Sequence, residues 1–217
     1  MLLELSSSTA DAGTTTFAPA DHLLGIVQRI VASRDNTRIV LPGKGEIAIL
    51  PGLGEYYASV QNMAEFCTAP PTQFQVSALG EAALPSTAGK RNIQELLWNA
   101  AFQASQGRLA EGCSKYDVVQ FRHWPNLTRL PVTPNAARIC ALLTRHPTTI
   151  MLLHRMLCID KEEVYQIYSA AYCAGIANTI SRTPESANPE TQVAEGQPAP
   201  AQERGIFRSL FAKISGL

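Results

Sequence analysis

The first residues that could do chemistry sit in two glycine-rich turns. Pro42-Gly43-Lys44-Gly45-Glu46 and Pro51-Gly52-Leu53-Gly54-Glu55 repeat a P-G-x-G-E pattern nine residues apart. Loops of this kind can present backbone amides to phosphate. Arg29, Arg34 and Arg38 precede the first turn and Lys44 lies inside it. Converging, these four would hold an anionic ligand such as a nucleotide. The surroundings favour a plainer role. A phosphate-binding loop of the Walker type needs G-x-x-x-x-G-K-[ST], and no such string occurs. A dinucleotide loop needs a helix after its glycines, whereas Glu46-Ile47-Ala48-Ile49-Leu50 reads as a strand. The expectation is therefore two hairpin turns with exposed basic neighbours, and an anion sensor as the secondary reading.

Histidine and cysteine offer the next candidates. His154 and Cys158 lie four apart, a helical spacing that can share a metal, with Cys140 and His146 upstream. Zinc sites use tighter pairs, and Cys140 and Cys158 stand among aliphatic residues, where a thiol acts as a small hydrophobe. No G-x-S-x-G elbow and no H-E-x-x-H helix is present. The residues point to no metal, no cofactor and no catalytic group.

Composition bounds the remaining classes. The chain has 217 residues, 46% apolar and 17% charged, with 18 basic and 18 acidic side chains. Zero net charge argues against an electrostatic nucleic-acid binder, which needs a surplus of Lys and Arg. Residues 1–6 lack a basic and apolar leader, and no apolar run is long enough for a membrane span. Five cysteines, an odd number without a C-x-x-C pair, read as reduced thiols of a cytoplasmic protein.

Elements follow from periodicity. Residues 1–20 read as loose. Asp21 is a plausible cap for a helix over 22–33 carrying Leu23, Leu24, Ile26, Val27, Ile30 and Val31. Runs at 38–41, 46–50 and 55–60, punctuated by the glycine turns, predict an antiparallel meander. Residues 73–79 alternate as a further strand with one buried face. A helix over 90–106 follows Ile93, Leu96, Leu97, Ala100, Ala101 and Ala104, stopped by Gly107. Trp98 and Phe102 lie off the centre of that stripe. They mark either a contact with a second domain or an exposed partner site. Residues 117–124 read as a strand and 124–131 as an ordered connector.

From Thr133 the pattern turns helical. Thr133 and Pro134 suit the cap and first position of a helix to Arg145. Thr148 or Thr149 opens a second helix. Asp160 with Glu163 three residues on forms a capping-box arrangement for a third, ending at Gly175. Three short helices with a tight turn between the last two resemble a winged helix-turn-helix over about 133–180. The resemblance implies DNA reading or protein docking. The third helix opens on Asp160, Lys161, Glu162 and Glu163 and offers Tyr165, Gln166 and Ser169 but no arginine, which suits docking better than groove readout.

Residues 183–204 are rich in Pro, Ala, Glu and Gln with Val193 as their one sizeable aliphatic residue, the composition of a disordered linker. Beyond it, Ile206, Phe207, Leu210, Phe211, Ile214 and Leu217 project within about 140° of one another on a helix. Their burial is worth about 10–15 kcal/mol gross. Ordering this segment costs about 13–26 kcal/mol before hydrogen bonds. The segment is thus expected to become helical only when docked: on its own core, in a groove of a partner protein, or peripherally on a membrane surface.

The whole reads as an α+β protein. A small antiparallel sheet with helices (21–130) precedes a winged-helix-like domain (131–182), a linker (183–204) and a docking helix (205–217). The expected role is that of a non-catalytic cytoplasmic adaptor with a protein partner. The alternatives are a winged-helix transcriptional regulator and a nucleotide or anion sensor.

Overall fold

Alternating residues and tight turns build the main sheet. The computed structural model describes residues 15–80 and 89–181. A short strand β1 (Thr16–Phe17) leads to helix α1 (Leu23–Ser33), which buries Leu23, Leu24, Ile26, Val27 and Ile30. The meander follows as β2 (Thr37–Leu41), β3 (Gly45–Leu50) and β4 (Glu55–Val60), all antiparallel. Ile39, Leu41, Ile47, Ile49 and Tyr56 supply its buried face. The short helix α2 (Met63–Thr68) is capped by Asn62, whose Oδ1 accepts from the Ala64 and Glu65 amides. Strands β5 (Gln75–Ala78) and β6 (Lys90–Asn92) close the sheet in the order β5-β2-β3-β4-β6. β5 differs from the expected half-buried strand. It is an edge, and all four of its residues are exposed.

Helix α3 (Ile93–Ser105) starts from the Asn92 cap and stops at Gln106 and Gly107, both at positive φ. The pair β7 (Leu109–Ala110) lies parallel to β1. Phe17 is buried there and meets His22 edge-on at 5.8 Å. Residues 15–20 are therefore tied to the core, against the expectation of a loose start. A second antiparallel sheet has the order β10-β8-β9, from β8 (Val118–Phe121), β9 (Thr148–Thr149) and β10 (Ala177–Ser181). Between these strands run α4 (Ala136–Arg145), α5 (Ile150–Leu157) and α6 (Lys161–Cys173).

The architecture is α+β, and the described residues fall in one compact unit. The segments 21–130 and 131–182 share one hydrophobic core, with α3 packed on α6. Ser169 of α6 sits between them, fully buried. Its Oγ accepts from the Ala110 amide at 3.0 Å and donates to the Arg108 carbonyl at 3.2 Å. Two caps differ from expectation. Asn135, not Thr133, caps α4, and Asp160 caps α6 without a side-chain bond. Glu163 turns to α4 instead, accepting from the Asn135 amide at 2.6 Å and its Nδ2 at 3.0 Å. The expected linker and amphipathic segment lie outside the described residues.

Candidate functional site

A chemically varied cleft lies where α3 begins and β8 ends. Asn92 Oδ1 accepts the Gln94 amide at 2.8 Å, which sets the first turn of α3 and carries Gln94 and Glu95 to one wall. The other wall is the turn after β8. Two bonds fold this turn back on itself, from the Arg129 amide to the Asn126 carbonyl at 3.1 Å and from Thr128 Oγ1 to Asn126 Oδ1 at 2.7 Å. That holds His123, Trp124 and Asn126 along the rim, over a floor of Leu130 and Ile176. The Arg122 amide donates to the Ile176 carbonyl at 2.9 Å and fixes the floor to the turn.

Two groups in this cleft are unusual. Trp124 is 49% exposed, a large aromatic surface left in water. The Glu95 side chain is only 14% exposed, its Oε1 lies 3.8 Å from Arg129 Nη1, and its buried Oε2 has no hydrogen-bond partner. A buried carboxylate oxygen left without a donor is costly. The polar side chains of the lining are Asn92, Gln94, Glu95, His123 and Asn126. Together with Trp124 they offer an aromatic face, amide donors and acceptors, an imidazole and one carboxylate. At about 180 Å³ it is smaller than the roughly 300 Å³ at which small-molecule sites begin, and suits a single side chain.

The glycine turns carry a different arrangement. An open groove of about 720 Å³ lies beside Gly43, Lys44 and Gly45, and none of the three arginines lines it. Arg38 is paired with Glu46, and Lys44 Nζ with Glu65 at 2.7 Å. Arg29 Nε donates to the Gly25 carbonyl at 3.3 Å, and Arg34 ends α1 in the left-handed region. The four basic residues thus stand engaged or apart and form no common anion cradle. Gly45 is required by strand packing, because a Cβ there would lie 2.2 Å from the Ser59 carbonyl oxygen.

The other candidates divide. Trp98 is fully buried and its Nε1 donates to the Pro131 carbonyl at 3.0 Å. Phe102 is packed against the core, and its carbonyl accepts from Gln166 Nε2 at 3.0 Å. The pair is therefore internal packing and not an exposed partner site. His154 Nδ1 lies 2.5 Å from the Ile159 carbonyl, while Cys158 ends α5 at φ 51°. Among the described residues no group of three His, Cys, Asp or Glu side chains could hold a metal. Ile206, Phe207, Leu210, Phe211, Ile214 and Leu217 lie outside the described residues.

In the helical part, α6 is the most enclosed element. Val164, Tyr165, Ile167, Tyr168, Ser169, Ala170 and Ala171 are buried, and Gln166 and Ser169 spend their polar atoms on internal carbonyls. The outer elements are α4 and α5. Residues 118–159 contain Arg122, Arg129, Arg138, Arg145 and Arg155 and no acidic residue. A charge count over 131–182 hides this run, because Asp160, Glu162 and Glu163 fall inside that window. Trp124 escapes a reading by periodicity because it sits in the turn beyond its strand. The signal for it is a tryptophan followed at once by Pro125 and Asn126, where no sheet face is left to bury it. Comparison with protein families, curated proteins and solved structures finds no match to this chain.

Proposed function

We propose that this chain is a non-catalytic adaptor or regulatory protein, cytoplasmic, acting through protein contacts. The observation that carries the reading is Trp124, half exposed over a cleft sized for one side chain, with the unpartnered Glu95 Oε2 in its wall. Interface hot spots are enriched in tryptophan and form around pockets that desolvate an inserted group. All five cysteines are free thiols, which fits a reducing compartment. No helix among the described residues is long and apolar enough to cross a membrane. The segment with Phe207, Leu210 and Phe211 is proposed as a second contact with the partner.

The winged-helix resemblance enters as a docking scaffold. The order of α4, β9, α5, α6 and β10, with β8 between β9 and β10, supports it. DNA reading through the third helix is disfavoured because α6 lies under α3.

The test is affinity capture from native lysate with the wild-type chain, Trp124→Ala, and Phe207→Ala/Phe211→Ala, followed by pairwise binding of each purified candidate. A protein captured by the wild type and lost with Trp124→Ala at unchanged melting temperature supports the reading. Identical capture by all three forms removes it.

A further inference from the structure

We infer that the outer face of the α4–α5 pair is a docking surface for an acidic peptide segment carrying apolar side chains. The inference rests on the adaptor reading but uses a different surface from the Trp124 cleft.

The orientation of these helices is fixed from within. Ile139, Cys140 and Leu143 of α4 and Ile150 and Leu153 of α5 are buried. Thr149 Oγ1 accepts the Leu152 amide at 3.2 Å and starts α5. Arg138 Nη2 donates to the Leu157 carbonyl at 3.0 Å, joining the start of α4 to the end of α5. With their inner residues pinned, the outer ones are presented to water by geometry. Arg138 and Arg145 are exposed seven residues apart, two turns along one side of α4. Leu152, Arg155 and Met156 are exposed on one side of α5, the two apolar residues at 48% and 55%.

Charge and shape name the occupant. Among the described residues neither Arg145 nor Arg155 has an ion-pair partner. The nearest acids along the chain are Asp117 before the run and Asp160 after it. The three arginines of these helices, Arg138, Arg145 and Arg155, with no lysine beside them, favour planar, bidentate contact with carboxylates. Leu152 and Met156 give an apolar contact on the same side of α5 as Arg155, and methionine adapts to varied partner side chains. Two apolar groups on a two-turn helix are a narrow stripe for a membrane surface, which takes a broad apolar face. Exposed leucine and methionine find no apolar counterpart along a phosphate backbone. A segment alternating Asp or Glu with Leu, Met or Phe meets both features at once.

The experiment is selection of a random-peptide display library on the full-length protein. The best synthetic peptide is then titrated by fluorescence anisotropy. The expected peptides are enriched in Asp and Glu around apolar residues. Their affinity falls by about tenfold or more in Arg145→Glu/Arg155→Glu, and also in Leu152→Ser/Met156→Ser. It weakens as salt is raised. Melting temperatures of both variants stay at the wild-type value, since all four side chains point outward. Peptides without acidic enrichment, peptides whose binding survives both variants, or no selected peptide at all overturn the inference. Peptides lost with Trp124→Ala and kept by the α4–α5 variants overturn this surface while leaving the adaptor reading in place. Flotation with phosphatidylserine vesicles or binding of duplex DNA, lost in the arginine variant and without any selected peptide, overturns both.

Discussion

The indole N–H of Trp98 donates to the carbonyl oxygen of Pro131 across 3.0 Å, joining two residues 33 apart in sequence. Trp98 lies on α3, beneath the connector that leads to α4, and is among the largest fully buried side chains. This bond and the α3–α6 packing make the sheet part and the helical part a single core.

Trp98→Ala should therefore destabilise the whole chain by about 3–5 kcal/mol. Denaturant unfolding followed by circular dichroism should remain one transition with a lowered midpoint. Two separated transitions would mean that residues 21–130 and 131–182 unfold independently, which the shared core does not allow.

The two glycines of the first turn should respond unequally to alanine. Gly43 has φ 74° with nothing within 4 Å of an added Cβ. Its substitution carries only the left-handed backbone penalty, about 1–2 kcal/mol. Gly45 has φ 130°, and its added Cβ would also meet the Ser59 carbonyl oxygen and Val60 Cα. Gly45→Ala should cost at least about 3 kcal/mol. Equal melting temperatures for the two variants would contradict the β3–β4 approach described above.

The five thiols should separate by reactivity. Cys158 is exposed, whereas Cys67 and Cys140 are buried. Burial pushes both of these thiols up to about 12, leaving almost no thiolate at neutral pH. Brief alkylation of the native protein, read by peptide mass spectrometry, should label Cys158 first. Cys67 and Cys140 should react only on unfolding. Early labelling of Cys140 would place α4 away from the core.

Periodicity made the longer helices and the meander legible, because their buried residues repeat at 3.6 or 2 positions, whereas the six-residue α2 is too short to show a period. Ile39 and Leu41, and the stripe of Ile93, Leu96 and Ala100, are of this kind. Caps were less legible, since Thr133 and Asn135 both suit the start of α4, and the helix starts two residues later than the Thr133-Pro134 pair suggests. The candidate sites were legible least. Trp98 and Trp124 are the same residue type, yet one is enclosed and the other half exposed, according to what packs over each. The arginines near the glycine turns gave a false convergence. Proximity along the chain carries no information about Glu46 and Glu65, the partners that engage Arg38 and Lys44.

Glu163 should make the contact between α6 and α4 sensitive to acid. Partial burial alone would raise its carboxyl. The Asn135 side-chain and backbone donors, with the Arg138 charge, outweigh that and hold it below the ordinary 4.5. A carboxyl lowered in the folded state contributes stability that is fully present above its unfolded value. That contribution disappears as pH falls through the folded value. Glu163→Gln removes the charge and sets an amide donor against Asn135, at a cost of about 1 kcal/mol near neutral pH. The gap between wild type and variant should stay constant well above pH 4.5 and close as pH falls below it, measured by urea unfolding at each pH. A gap that stays constant through this window would mean that the charge of Glu163 does not hold α6 to α4.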